Sequence, residues 1–252
     1  MRLLVLLLSL AMPAVSWFSQ KGVFGPTNGA ISSEYPTLIV AAGYAFAIWG
    51  LIFLLDVLFG LWQFSSRRQA GGVLARARLP AALGFAFTAA WMPVFSLQIY
   101  WLALLIIWAA LASMVWAALL LSRDPRPEPG QRWFAWLPLS LHAGWLALAA
   151  FLNTAQVIVA YELLPTDQML GWSLVLLALA AGMLLLLNQR MLGNLAFAAA
   201  ALGGLAAVYV KQSASLLPGA GTAAWVAIAI AGVLTVQTIW LRMRRPAVMA
   251  AK

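Results

Sequence analysis

The feature that most constrains this chain is a series of eight apolar runs, each close to the length needed to cross a lipid bilayer. They cover residues 3–18, 41–62, 79–97, 99–121, 133–160, 169–188, 193–210 and 221–241. A membrane-spanning helix needs about 20 mainly apolar residues. With 65% apolar and 8% charged residues, a soluble domain would lack the polar surface to cover itself. The sequence therefore predicts an all-α polytopic membrane protein with about eight transmembrane helices.

The basic residues lie almost entirely on one side of the predicted membrane. Only two of the fifteen Lys and Arg residues, Lys21 and Lys211, lie on the other side. The positive-inside rule then places both termini in the cytoplasm of a bacterial inner membrane. The same distribution explains the net charge of +9 without nucleic acid as a partner. Membrane lipid is the expected partner.

The first run leaves two interpretations open. Its sequence, MRLLVLLLSLAMPAVS, has a basic start, a short apolar stretch and small residues near a plausible cleavage point. These features fit a signal peptide as well as a retained helix. Whether the first run is cleaved or retained, the loop that follows it lies on the outer side, so the charge pattern does not discriminate between the two. We expect a retained helix.

The sequence lacks the residues that several kinds of metal and catalytic site require. There is no cysteine and only one histidine, His142. Thiolate and multi-histidine metal sites, including haem ligation by several histidines, are therefore excluded. The sequence contains no phosphate-binding loop, catalytic triad or paired-carboxylate site. We expect no metal and no required cofactor, and whether the chain is an enzyme stays open.

Five of the thirteen tryptophans lie inside predicted spans rather than at their ends: Trp49, Trp91, Trp108, Trp116 and Trp145. An indole N–H away from water needs a hydrogen-bond partner, so such tryptophans indicate either tight aromatic packing or a ligand cavity. In AWMPVF (90–95), Trp91 and Phe95 share one helical face. Pro93 removes a backbone donor and favours a bend of the helix around a cavity.

Four segments together resemble the membrane core of the TspO/MBR family, the tryptophan-rich sensory or translocator proteins, in a longer bacterial branch. They are AIWGLIF (47–53), AWMPVF, IIWAALASMVW (106–116) and HAGWLALAAFLN (142–153). The family carries a Trp-x-x-Leu-Tyr motif in its second helix, Asn-x-x-Trp-x-x-x-Phe in its third, and Pro-Tyr-x-x-Trp followed by Leu-Asn in its fifth. This chain departs at the polar positions, with Phe53 for the tyrosine, Thr88 for the asparagine, and Leu141-His142 for Pro-Tyr.

The resemblance implies a five-helix bundle over residues 1–160, with loop 19–40 as a lid and three additional spans in 161–252. It also implies a cavity for a flat apolar ligand, such as a porphyrin or other tetrapyrrole or a sterol-like lipid, and a role as sensor or carrier. A bound pigment would be such a ligand. The implied ligand-binding residues are Trp49, Phe53, Thr88, Trp91, Phe95, Trp108, Trp116, His142, Trp145 and Asn153. Two alternatives are a subunit of a larger membrane complex and a cofactor-independent enzyme that modifies a tetrapyrrole.

Asp56 and His142 form a candidate polar pair inside the membrane. Asp56 interrupts the apolar run GLIFLLDVLFG, and a carboxylate at such depth must face protein or water, be paired, or be neutral. At 1.5 Å per residue, the two positions differ in depth by about 5 Å. The resemblance implies that their helices are neighbours. Proton transfer, ligand anchoring and fixing of helix register all fit such a pair.

Small residues suggest two packing surfaces. Span 7, GNLAFAAAALGGLAAVYV, is rich in glycine and alanine, which favours close helix approach. The pattern Gly84-x-x-x-Thr88 on span 3 offers a homodimer contact by the same reasoning.

Overall fold

The computed structural model describes residues 1–65 and 72–244, and all regular structure within them is helical. Eight helical spans are long and apolar enough to cross a membrane, which confirms the predicted fold class. A 3-10 turn (Gly43–Ala47) leads into α3, and a π-helical turn (Arg132–Trp136) leads into α6. The helices are α1 (Arg2–Gln20), α2 (Asn28–Glu34), α3 (Ile48–Ser65), α4 (Val73–Ser96), α5 (Tyr100–Ser122), α6 (Leu137–Ala160), α7 (Met169–Arg190), α8 (Leu195–Ser213) and α9 (Ala220–Met243).

Five of the spans close into a ring. α1 packs against α3 and α4, α4 against α5, α5 against α6, and α6 against α3. The span that contains α6 is the most deeply buried, with 72% of its apolar window covered, against 22% for α7. Side chains of α6 therefore reach both the interior of the ring and the helices outside it.

The remaining spans attach to the ring through α6. α8 packs against α6 and α9, and α7 packs against α9 and α6. Glycines make the approach between α6 and α8 close. Gly144 lies against the backbone of Phe197, and Gly204 lies against Leu148. The small residues of the seventh span thus act in helix packing, as the sequence indicates.

Asn194 fixes the start of α8. Its Oδ1 accepts hydrogen bonds from the backbone N–H groups of Ala196 (3.0 Å) and Phe197 (3.1 Å), which caps the helix. Its Nδ2 donates to the hydroxyls of Ser122 (2.9 Å) and Ser140 (2.7 Å). One fully buried side chain thereby joins the ends of α5, α6 and α8.

α4 begins six residues earlier than the sequence predicts, at Val73 instead of residue 79. Gly72, with φ 93°, precedes the helix, and no breaker stands between it and Leu79. Arg76 and Arg78 consequently lie within α4 and not in the preceding loop. Pro93 lies in the last turn of α4. Four other residues used in the charge argument fall outside the described residues: Arg67, Arg68, Arg245 and Lys252.

Gly84 and Thr88 pack inside the chain and not on its outer surface, and formation of a homodimer stays a prediction. Gly84 faces Met114 of α5, where its missing side chain lets the two helices approach. Thr88 is 2% exposed and contacts His142 inside the ring. Both residues therefore serve packing within one chain.

The connection between α1 and α3, residues 21–47, folds over the ring and is named the cap segment here. Residues 37–42 of it are non-helical and buried. Non-helical backbone is tolerated at membrane depth only where protein or a water-filled cavity satisfies its polar groups. α8 provides hydrogen-bond partners for this backbone. Gln212 Nε2 donates to the carbonyls of Thr37 and Val40 (both 3.0 Å). The Ala207 carbonyl accepts a hydrogen bond from the N–H of Ala42 (2.9 Å).

Candidate ligand cavity

Four aromatic side chains converge on one cavity inside the ring: Trp49 from α3, Trp91 and Phe95 from α4, and Trp145 from α6. The cavity has a volume of about 30 Å³. The other wall residues are Val40, Ala41, Ala45, Phe46, Ile107, Ala149 and Leu152, with Ser32, Asn153 and Gln156 as polar members. The structure thus brings together Trp49, Trp91, Phe95, Trp145 and Asn153 from the predicted set, and their binding role stays a prediction.

The rings form a connected group. Trp91 stacks on Phe95 with centroids 4.9 Å apart and an interplanar angle of 23°. Trp49 lies 6.4 Å from Trp91 at 27°, whereas Trp145 meets Trp49 edge to face at 6.2 Å and 85°. The roughly parallel rings of Trp49, Trp91 and Phe95 form one wall, and Trp145 stands across it.

Two of the indole N–H groups in the wall differ in their hydrogen bonding. Trp91 Nε1 donates to Asn153 Oδ1 at 3.0 Å, and Asn153 Nδ2 donates to the Ala149 carbonyl at 3.3 Å. Trp145 Nε1 is buried and has no hydrogen-bond partner in the described part of the chain. Among the described residues, the buried indole N–H of Trp91 therefore has a hydrogen-bond partner, and that of Trp145 does not.

Behind Trp49 lies a buried polar network centred on His142. His142 Nδ1 lies 2.8 Å from Asp56 Oδ2, and both side chains are fully buried. The predicted contact between Asp56 and His142 is thus present. His142 Nε2 lies 3.2 Å from Thr88 Oγ1, so three helices meet at one imidazole. The imidazole also meets Trp49 edge to face at 5.6 Å, which couples the network to the cavity wall.

Five predicted ligand residues do not line the cavity. His142 and Thr88 lie behind Trp49, as described above. Phe53 stacks on Trp49 at 5.2 Å but faces a groove beside α1. Trp108 donates to Thr154 Oγ1 at 3.3 Å between α5 and α6. Trp116 is 51% exposed on the outer face of α5. Regular spacing along α5 did not reveal which face of that helix points inward.

The cap segment supplies cavity residues that the sequence argument missed. Phe46 and Ser32 both line the cavity, and Gln156 Nε2 donates to Ser32 Oγ at 3.0 Å. The contribution of the cap therefore extends past the predicted limit of residue 40. Gln156 had a signal in the sequence, because it continues the spacing of three and four residues that runs from His142 through Trp145 and Ala149.

Two further spaces adjoin the cavity. One, of about 250 Å³, shares the side chains of Phe46, Trp49 and Trp91 with it. The other is a groove of about 540 Å³ between α1 and α3, and it shares Ser16 and Gly50 with the first of these spaces. The three spaces thus follow one another from the outer surface of α1 and α3 to the aromatic wall.

The described residues hold no group of three His, Cys, Asp or Glu side chains that could bind a metal ion. Eight apolar spans, five of which form a ring around an aromatic-lined cavity, define a multi-pass membrane protein. The family described as TSPO-like protein matches residues 2–240, and the chain belongs to that family. The match runs through α7 and α8 and most of α9. No curated protein and no solved structure matches the chain.

Proposed function

We propose that this chain binds a flat apolar ligand, of the tetrapyrrole or sterol-like class, inside the five-helix ring and acts as its sensor or carrier. Membership of the TSPO-like family indicates a membrane binding or sensor protein. The observation that carries the choice of ligand is the convergence of three tryptophans and two phenylalanines on a single cavity. Such a wall offers large apolar faces with few polar groups, which suits a flat ring system.

The polar groups at this wall restrict the ligand further. Asn153 is already engaged by Trp91, and Gln156 by Ser32. Trp145 Nε1–H is the buried donor of the wall that lacks a partner among the described residues. A ligand that is mainly apolar but carries one hydrogen-bond acceptor at an edge satisfies this arrangement, because an unpaired buried donor costs about 1 to 3 kcal/mol.

Binding requires the cavity to open. Pockets for ligands of drug size enclose about 300 to 1,000 Å³, whereas the space here is about 30 Å³. Movement of Phe46, on the cap segment, merges the cavity with the neighbouring space of about 250 Å³. The groove between α1 and α3 then gives a route from the bilayer. We propose that the ligand enters laterally along this route.

The proposed location is a bacterial inner membrane with both termini in the cytoplasm. Support comes from the distribution of charge, since only Lys21 and Lys211 among the fifteen basic residues lie on the other side. In the structure, Lys21 follows α1 directly and Lys211 lies in the last turn of α8, both at the end of the bundle covered by the cap segment.

The test uses protoporphyrin IX as a probe of the purified full-length protein in detergent. We expect it to quench tryptophan emission at saturating binding. Trp49→Ala and Trp145→Ala should each weaken binding by about tenfold, because each removes an aromatic ring that faces the cavity. Trp116→Ala and Trp225→Ala are matched controls, since these side chains are 51% and 67% exposed and lie outside the cavity.

Full binding by both cavity variants, or an equal loss in the two controls, would overturn the proposed site. Absence of any ligand response together with a stable co-purified protein would instead support the subunit alternative. Conversion of the bound pigment, compared in light and in darkness, would establish an enzyme.

A further inference from the structure

Arg78 is a buried cation, and two of its guanidinium nitrogens have no hydrogen-bond partner among the described residues. It lies on α4, five residues after Val73 and therefore about 7 Å along the helix axis. Its side chain is only 5% exposed. Both Nε and Nη2 are buried without a hydrogen-bond partner in the described part of the chain.

A guanidinium in this position needs an acceptor. It carries five N–H donors and remains charged in proteins. Buried polar groups are almost always hydrogen-bonded, and a charged side chain within a membrane span is paired or reaches water. Arg78 meets neither condition through the side chains around Nε and Nη2. In the described part of the chain these two nitrogens have no acceptor, and an anion from outside the chain would satisfy both.

The surrounding charges favour an anion. Among the described residues, Arg2 and Glu128 are the charged groups that act on Arg78. The backbone carbonyl of Arg2 accepts a hydrogen bond from Gln63 Nε2 at 2.9 Å, which fixes the start of α1 beside the end of α3. In the described part of the chain, Arg78 and Arg2 therefore face one glutamate, which leaves a positive excess. Both Nε and Nη2 are unengaged, which leaves the fork that binds a phosphate through two parallel hydrogen bonds.

We propose that Arg78 binds the phosphate of an anionic phospholipid in the leaflet on the side where α1 begins. The depth of Arg78 in α4 corresponds to the headgroup level at the end of a span, where basic pockets between helices bind anionic headgroups. Its neighbours on the same helix, Leu74 and Ala81, are buried and apolar. The site is separate from the aromatic cavity, and its occupation does not depend on the function proposed for that cavity.

The experiment compares Arg78→Gln with Arg76→Gln in the full-length protein in dodecylmaltoside micelles. Arg76 lies on the same helix but is exposed, so its variant controls for the loss of one positive charge. Thermal unfolding is followed during addition of dioleoylphosphatidylglycerol, dioleoylphosphatidylcholine, or inorganic phosphate at matched ionic strength. Native mass spectrometry counts the bound lipid in the same samples.

We expect phosphatidylglycerol, and neither of the other two additives, to raise the Tm of the unsubstituted protein. Arg78→Gln should lose that rise and bind the lipid about tenfold more weakly, because charge-assisted hydrogen bonds are lost. Arg76→Gln should keep it. Without phosphatidylglycerol, Arg78→Gln should be at least as stable as the unsubstituted protein, because an unpaired buried charge has been removed.

A full lipid response in Arg78→Gln, or an equal loss in Arg76→Gln, would overturn the assignment. An equal effect of inorganic phosphate would show a soluble anion and not a lipid. If Arg78→Gln fails to fold, Arg78→Lys takes its place. It retains the charge without the planar fork, and we expect weakened lipid binding from it, whereas undiminished binding would contradict the proposal.

Discussion

His142 Nδ1 lies 2.8 Å from Asp56 Oδ2 at the centre of the helix ring, with both side chains fully buried. The contact joins α6 to α3, and Thr88 extends it to α4 through His142 Nε2 at 3.2 Å. Because Trp49 rests edge to face against the same imidazole, the network supports the wall of the ligand cavity from behind. The network therefore links three helices around that wall.

The first prediction concerns the energetic coupling of Asp56 and His142. His142→Gln should destabilise the protein by about 2 to 4 kcal/mol, because it leaves a buried carboxylate without its partner. Asp56→Asn should cost less, since a neutral imidazole can still donate to the amide oxygen. The double variant should be more stable than His142→Gln alone. Equilibrium unfolding in detergent measures all four proteins.

The control for this cycle combines His142→Gln with Thr154→Val. Thr154 accepts a hydrogen bond from Trp108 at 3.3 Å and shares no bond with His142. Its effect should add to that of His142→Gln within about 0.5 kcal/mol. Additive effects of Asp56→Asn and His142→Gln would show that their contact carries no coupling.

The membrane spans could be predicted from the sequence for two reasons. The thickness of the hydrocarbon core sets their length, and every backbone polar group inside lipid needs a hydrogen-bond partner, which a helix supplies. All eight predicted spans are helical in the structure, and only α4 begins markedly earlier than predicted, at Val73. Its extension carries Arg76 and Arg78, which a hydropathy argument assigns to a loop because of their charge. Intrinsic helix preference, which is favourable for arginine, decided the boundary instead.

The family resemblance, and not helical spacing, supplied the predicted ligand residues. Trp49, Trp91, Phe95, Trp145 and Asn153 from that set line the cavity. Trp116 does not, because α5 is apolar on every side and its inward face depends on contacts with α4 and α6. The cap residues were missed for a similar reason, since their position follows from hydrogen bonds to α8, far away in sequence.

The second prediction tests the packing of α8 on α6. Gly144→Ala should destabilise the protein, because the added methyl group meets the backbone of Phe197, which cannot rotate away. We expect a loss of about 1 to 3 kcal/mol. Gly203→Ala is the control, since nothing lies within 4 Å of the added methyl group. It should leave stability unchanged or raise it by up to about 1 kcal/mol through helix preference. Equal stability of the two variants would contradict the close contact.

The third prediction concerns topology. Truncated reporter fusions after Gly72 and after Lys252 should give a cytoplasmic signal, and a fusion after Asp167 should give a periplasmic one. Gly72 is the suitable position because it directly precedes α4, whereas Arg78 lies inside that helix. Lys252 lies outside the described residues, and the sequence alone supports its side. A periplasmic signal after Gly72 would reverse the proposed orientation of the whole bundle.

The fourth prediction is that α8 controls how readily the cavity opens. Gln212 is 1% exposed, and its Nε2 bonds to the carbonyls of Thr37 and Val40, both at 3.0 Å. Gln212→Met fills a similar volume but donates no hydrogen bond, so two buried carbonyls of the cap segment lose their partner. The closed cap should become less stable relative to an open one. Association and dissociation of protoporphyrin IX should then both become faster, by about fivefold for a difference near 1 kcal/mol.

The control for the cap is Ser213→Ala, the next residue along α8, whose exposed hydroxyl bonds only to the Val210 carbonyl of its own helix at 3.1 Å. It should leave both rates unchanged. Stopped-flow measurement of tryptophan quenching gives the rates, and thermal unfolding shows whether the bundle itself stays intact. Faster exchange with an unchanged Tm would assign the effect to the cap segment, because only movement of residues 21–47 then separates the two variants. Unchanged rates in Gln212→Met would show that the ligand enters without movement of the part of the cap segment that α8 holds. Movement of Phe46 alone would then open the cavity.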